Sequence, residues 1–135
     1  MLYELSKKYA PPVINLRQAE IMDSYGDEEY AKIQLNHVNP EDVKLEELLY
    51  YNQAWGFMNA KDLLFYAYAV TTFADSGDKI FVEMYIYTIE QRLSRNDFLF
   101  MIQDDQGVFK EALKELLTHC DVLWLCPAID DFLKV

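Results

Sequence analysis

The segment from Leu63 to Ala74 constrains the fold more than any other part of the chain, because almost all of its residues are apolar. The four residues before it, Asn-Ala-Lys-Asp at 59–62, have the composition of a helix start, with a capping asparagine and an acid at the third helical position. A helix that is apolar around most of its circumference has to be surrounded by other elements. The sequence therefore predicts a buried central helix that the rest of the chain encloses.

Two further segments carry clear helix signals. Residues 39–42 (Asn-Pro-Glu-Asp) combine a capping side chain, a proline suited to the first helical position and two acids at the positive end of the helix dipole. This combination predicts a helix over about 40–52. Behind Asp104 and Asp105, apolar residues recur at intervals of three and four, as on one face of a helix. That face consists of Val108, Phe109, Ala112, Leu113, Leu116 and Leu117.

Residues 79–93 fit two patterns. Every second residue from Ile80 to Ile86 is apolar, as in a strand, whereas a second set from Phe81 to Leu93 recurs at three and four, as in a helix. The unbroken length and the capping residue Asp78 favour a helix, because strands rarely run so long. An α+β fold with a strand at about 80–87 is the alternative.

The remaining elements are shorter. Pro11-Pro12 is expected to open a helix, residues 28–35 to form a short helix, and residues 98–102 and 128–133 to form turns. No linker, repeat or low-complexity tract divides the chain, so residues 1–135 are interpreted as one helical domain. The predicted fold is all-α, a single-domain bundle of five or six helices joined by short loops.

Acidic residues outnumber basic ones in both halves of the chain. There are 23 Asp and Glu against 12 Lys and Arg, which gives a formal net charge of -11. This charge argues against nucleic-acid binding, because backbone phosphates would be repelled. The same field repels anionic membranes and attracts basic proteins.

No segment has the composition of a targeting or membrane element. The first lysines follow apolar residues and no long apolar stretch comes after them, whereas a secretory signal has the opposite order. The longest apolar run, Leu63–Val70, is shorter than the roughly 20 residues that span a bilayer. Two cysteines, Cys120 and Cys126, do not make a disulfide framework, and we expect a cytoplasmic protein.

Most catalytic signatures are missing from the sequence. The glycine-rich nucleotide-binding motifs, the zinc-protease motif and the hydrolase nucleophile motif do not occur. Glu115, His119, Cys120 and Cys126 could supply zinc ligands, but the cysteines stand in an apolar context and the spacing does not suit a four-ligand site. We therefore expect no metal, no cofactor and no catalytic residue, and we interpret His37 as structural.

Aromatic residues are the most informative excess, at 15% of the chain. Most are expected in the core, since helically spaced aromatic side chains usually pack inside. The many tyrosine hydroxyl groups need water or partners, so some rings should reach the surface, where Tyr and Trp commonly anchor interfaces. We predict that Trp55, Tyr66 and Tyr68 bind a partner.

Residues 55–68 (Trp-Gly-Phe-Met-Asn-Ala-Lys-Asp-Leu-Leu-Phe-Tyr-Ala-Tyr) resemble a segment of small, uncharacterised helical bacterial proteins. In those proteins an aromatic-glycine-apolar stretch, a helix cap and an aromatic-rich helix follow one another. The resemblance covers this segment only and carries no functional residue.

Taken with the charge, these features favour a cytosolic protein-interaction module, such as an acidic inhibitor or immunity-type protein for a basic partner. The comparison with toxin-immunity proteins is one of charge and size. The alternatives are a small enzyme with a cleft of carboxylates and tyrosines, or a homo-oligomeric structural subunit. A deep pocket with acids beside a histidine would favour the enzyme. A flat acidic surface with exposed tyrosines would favour the binder, and a large symmetric apolar patch the oligomer.

Overall fold

The computed structural model describes residues 1–23, 37–76, 78–120 and 126–134. In these ranges the chain forms seven α-helices and no strand, so the all-α class is confirmed, with more helices than the five or six expected. Two short 3₁₀-helices accompany them, at Pro40–Asp42 and Ala54–Phe57. The α-helices are α1 (Leu2–Lys8), α2 (Leu16–Asp23), α3 (Leu45–Tyr50), α4 (Ala60–Thr72), α5 (Ile80–Ser94), α6 (Gln103–Thr118) and α7 (Pro127–Lys134).

Helix α4 is the predicted central helix. Its first turn is capped as expected, because Asn59 Oδ1 accepts a hydrogen bond of 2.8 Å from the Asp62 N–H. The helix is buried over most of its length, and α1, α5, α6 and the 3₁₀-helix Pro40–Asp42 pack against it. The other helices therefore enclose α4, as its apolar circumference requires.

Residues 80–94 form helix α5, so the alternative with a strand at 80–87 is wrong. The buried side chains recur at three and four, which places them on the face of α5 that meets the core. This face bonds to its neighbours through buried polar groups. The Tyr85 hydroxyl donates to the Leu63 carbonyl at 2.6 Å, and Trp55 Nε1 donates to the Phe81 carbonyl at 3.1 Å.

The helix expected over 40–52 is interrupted. The 3₁₀-helix Pro40–Asp42 ends at Val43, whose backbone is extended, and α3 begins only at Leu45. Asp42 Oδ2 accepts the Asn39 N–H at 2.8 Å, and Glu47 Oε1 accepts the Lys44 N–H at 2.8 Å. Two helix starts thus follow each other, each with an acid reaching back to the backbone three residues before it. The break also turns the Val43 side chain into the core.

The N-terminal region differs from the expectation in two ways. Helix α1 was not predicted, and the helix expected to open at Pro11-Pro12 begins only at Leu16. Asn15 and Gln18 explain this start, since each side chain accepts the other's backbone N–H at 3.0 Å. The short helix expected at 28–35 lies outside the described residues.

The C-terminal part largely follows the prediction. Helix α6 buries Phe109, Ala112, Leu113 and Leu116 of its predicted apolar face. Residues 98–102 form the expected turn, although Leu99, Phe100 and Ile102 are exposed. The turn expected at 128–133 is the longer helix α7, which proline begins. In the described part of the chain, no helix has the length and apolar character needed to cross a membrane.

Candidate interaction groove

The three side chains predicted to bind a partner do not form one surface. Trp55 is 1% exposed and Tyr66 is 0% exposed, so both belong to the core and their expected exposure is wrong. Their rings pack edge to face with centroids 5.6 Å apart, as helically spaced aromatics do inside a bundle. Tyr68 is half-buried and packs its ring against Tyr3 at 5.2 Å. A partner could therefore reach Tyr68 but not the other two in this fold.

Other aromatic side chains are exposed among the described residues. Tyr50 is the most exposed, at 75%, followed by Tyr87, Phe100 and Phe57. They come from α3, α5, the turn before α6 and a 3₁₀-helix, so they are spread over several elements. Sequence alone did not separate them from the buried rings, because neighbours such as Tyr85 and Tyr87 differ only in the side of the helix they occupy.

Tyr66 is the centre of a buried polar cluster. Its hydroxyl oxygen accepts the Leu16 N–H at 3.2 Å and lies 2.9 Å from Nδ1 of His37. Because the hydroxyl hydrogen also needs an acceptor, we assign the proton-free nitrogen of His37 to Nδ1. The other ring nitrogen, Nε2, faces Glu47 Oε1 at 3.0 Å but without hydrogen-bond geometry. Burial raises the pKa of Tyr66 far above its ordinary value, so the hydroxyl stays neutral.

Asp62 forms a second buried polar contact one turn earlier on α4. Its two carboxylate oxygens accept the Val13 N–H at 2.8 Å and the Ile14 N–H at 3.0 Å. Burial raises the pKa of Asp62, and the two backbone hydrogen bonds oppose that rise. These contacts fasten the segment before α2 to the central helix. No substrate can reach the Tyr66 hydroxyl while it has no exposed surface, so this cluster holds the fold together rather than offering an open site.

A long cleft between α1 and α6 is the most promising site. It has a volume of about 1030 Å³. Leu2 and Leu5 of α1 and Val108 and Ala112 of α6 supply apolar surface. Its carboxylates are Glu4, Asp104, Asp105, Glu111 and Glu115. We call this cleft the α1–α6 groove. Sequence reasoning missed it because α1 was not predicted, although the spacing of Leu2 and Leu5 is helical.

The groove is acidic but not without cations. Lys8 Nζ crosses from α1 to Asp105 Oδ2 at 2.7 Å, and this hydrogen bond raises the pKa of Lys8. Lys114 Nζ lies 3.1 Å from Glu111 Oε1, and the Met1 amino group lies 2.7 Å from Glu4 Oε2. The Lys114–Glu111 and Met1–Glu4 pairs are solvent-exposed, so they are weak and can exchange for a partner's cations, whereas the Asp105 side chain is only 14% exposed.

The four residues considered as zinc ligands do not converge. Glu115 lines the groove, whereas His119 Nδ1 lies 3.2 Å from Asp75 Oδ1. Cys120 and Cys126 are half-buried and pack against the hydrophobic core. No group of three or more His, Cys, Asp or Glu side chains suited to a metal ion occurs in the part of the chain that the structure describes.

Comparison with known proteins offers no function to carry over to this chain. No protein-family model matches it, and neither does any curated protein or solved structure. The resemblance of residues 55–68 to bacterial helical proteins therefore stays a prediction.

Proposed function

We propose that this protein is a cytosolic interaction module that binds a basic partner protein in the α1–α6 groove, in the manner of an acidic inhibitor or immunity-type protein. The observation that carries the proposal is the combination of an apolar surface and a carboxylate rim in one cleft. Each part has a separate role in binding, and neither alone would make a specific site.

The carboxylates act first, at long range. A net charge of -11 attracts a basic protein and raises the rate of encounter. At physiological salt this attraction is screened over roughly 8 Å. The association rate should therefore fall as salt is added, whereas a neutral encounter would be insensitive to salt.

The apolar surface acts after the encounter. Leu2 and Val108 are half-buried and form part of the lining. Covering them with a partner's apolar side chains removes their remaining surface from water, which is the main source of lasting affinity in protein interfaces. Charge then selects the partner, and burial of these side chains retains it.

The test is affinity capture from the source cells with a variant that neutralises the groove. Glu4→Gln, Glu111→Gln and Glu115→Gln together remove three exposed carboxylates from its lining. We expect the wild-type chain to capture a basic protein and this groove variant to lose it. Purified partner then allows association rates to be measured over a salt series.

A matched control separates the groove from net charge. Glu46→Gln, Glu83→Gln and Asp131→Asn together remove the same charge from exposed positions that do not line the groove. This control variant should capture the partner as well as the wild type does. If both variants lose the basic protein equally, net charge rather than the groove is responsible for binding. If the wild type captures no basic protein, the proposal is contradicted.

A second candidate is a homo-oligomeric subunit. Leu99, Phe100 and Ile102 are 78%, 41% and 59% exposed on the turn before α6, which is a costly arrangement for a chain that stays monomeric. Sedimentation equilibrium over a range of concentrations tests it. Self-association that Leu99→Ser and Ile102→Ser abolish would support this candidate, and a monomer at all concentrations would exclude it.

A further inference from the structure

The walls of the groove restrict how a peptide could lie in it. Peptides that add a strand need an exposed sheet edge, and the described ranges contain no strand. Polyproline peptides need aromatic walls, and among the described residues no aromatic side chain lines the groove. The remaining common mode is a helix laid in a groove between helices, which uses the same ridge-and-groove packing as the bundle itself.

The groove has the dimensions for such a helix. Along α6 its lining follows one face from Asp104 through Val108, Glu111 and Glu115 to Thr118, so the stripe runs almost the whole length of the helix. At 1.5 Å per residue, this face extends for roughly 20 Å. Among the described residues, the opposite wall is the helix α1, which has 7 residues against the 16 of α6.

Gly107 gives an independent sign of a close partner. It stands inside α6, is exposed and lines the groove. Glycine inside a helix destabilises it relative to alanine. A Cβ built at Gly107 would meet nothing within 4 Å, so packing within this chain does not require the glycine. Glycine at this position leaves room for a partner's backbone, because glycine permits closer contact than any other residue.

We infer that the occupant of the α1–α6 groove is an amphipathic helix, with lysine or arginine beside an apolar stripe, whose backbone packs against Gly107. This inference rests on the proposed function and adds the form of the partner segment to it. The partner's apolar stripe covers Leu2 and Val108, its cations exchange with Lys8 and Lys114 for the carboxylates, and its closest approach is at Gly107.

The probe is a synthetic peptide of about 14 residues, long enough to follow the α6 stripe. It contains equal numbers of leucine and lysine, arranged with helical period and labelled with a fluorophore. The control peptide has the same composition in strict alternation, which cannot place the leucines on one face of a helix. Fluorescence anisotropy gives the Kd, and circular dichroism shows whether the bound peptide is helical.

Two single glycine variants provide the sharpest comparison. Gly107→Ala should raise the melting temperature by about 2–4 °C, because alanine favours the helix, and weaken binding of the helical peptide by roughly tenfold. Gly56 serves as the matched site, since its missing Cβ also faces open space and it lies outside the groove. Gly56→Ala should leave the Kd unchanged.

The binding measurements test the helical occupant and the proposed function separately. Binding of the helical peptide that falls with Gly107→Ala and with the groove variant, but not with the matched controls, supports the inference. If the alternating peptide binds equally well, or Gly107→Ala has no effect on the Kd, the helical occupant is excluded while the proposed function survives. If the groove variant and its matched charge control bind the peptides alike, the proposed function fails as well.

Discussion

The hydroxyl of Tyr66 and Nδ1 of His37 lie 2.9 Å apart in the core, although 29 positions separate the two residues. Tyr66 belongs to the central helix, whereas His37 precedes the first 3₁₀-helix. The same hydroxyl accepts the Leu16 N–H, so one oxygen ties two separate segments to α4. A buried polar group that satisfies two others at once is expensive to remove, because both are left without a partner.

Replacing Tyr66 by phenylalanine should therefore destabilise the protein by about 1–3 kcal/mol. Urea unfolding monitored by tryptophan fluorescence measures the change. Tyr85→Phe is the control, because its hydroxyl donates only to the Leu63 carbonyl, which a helix already pairs. We expect the Tyr85 variant to lose less stability than the Tyr66 variant. A Tyr66 variant no less stable than the Tyr85 variant would contradict the role given to this hydroxyl.

The stability contributed at Asp62 should depend on pH in a defined direction. Its folded-state pKa is raised above the ordinary value of 3.8, chiefly by burial. The folded state then holds its proton more tightly than the unfolded state, so this group favours folding at low pH and the benefit is lost as pH rises through the raised pKa. Asp62→Asn removes this dependence and also replaces one of the two side-chain oxygens that accept backbone N–H groups.

Urea unfolding of the wild type and Asp62→Asn from pH 7 downwards tests this sign. We expect the wild type to be more stable by about 1–3 kcal/mol at neutral pH, because the amide cannot accept both N–H groups. The difference should grow as pH falls through the raised pKa and level off below 3.8. A difference that shrinks over this range would show that the pKa is lowered instead.

Glu90 of α5 should hold the start of α7. Its carboxylate oxygens accept the Ala128 and Ile129 N–H groups at 2.9 Å each, which is an N-cap supplied by another helix. Glu90→Gln should cost about 1 kcal/mol and loosen α7 first. Hydrogen exchange of the Ile129 amide is the measurement, with Glu83→Gln on the exposed side of α5 as control. Unchanged exchange in the Glu90 variant would refute the cap.

Lys8 should compete with a partner for Asp105. Lys8→Gln leaves the carboxylate open to a partner's cation, so a basic peptide should associate faster with this variant. Lys44→Gln changes the net charge equally from an exposed position outside the groove. Stopped-flow measurements of the association rate at low and high salt compare the Lys8 and Lys44 variants. If both variants accelerate binding to the same extent, net charge alone is responsible.

A chelator should leave the protein unchanged. Glu115 lines the groove, whereas His119 lies beside Asp75, and we expect no metal to contribute folding energy. The melting temperature should be the same with and without EDTA. Stoichiometric zinc in the purified protein, with a lower melting temperature after its removal, would overturn this expectation.

Features that depend on neighbours a few residues apart could be predicted from the sequence. The cap at Asn59, the buried character of α4 and the amphipathic face of α6 were all predicted, because capping and helical periodicity act within one or two turns. The length of the 79–93 segment likewise favoured the helix that became α5. The net charge of -11 follows from the amino-acid composition alone.

Which surface each element presents depends on contacts between distant parts of the chain. Sequence patterns did not reveal three features of this kind. They are the break between Asp42 and Leu45, the late start of α2, and the burial of Trp55 and Tyr66. Asp62 reaches Ile14 across 48 positions and Glu90 reaches Ile129 across 39. The α1–α6 groove is another such feature, since α1 ends at Lys8 and α6 begins only at Gln103. No local pattern encodes such contacts, because they exist only once the helices have packed and buried polar groups have found partners far along the chain.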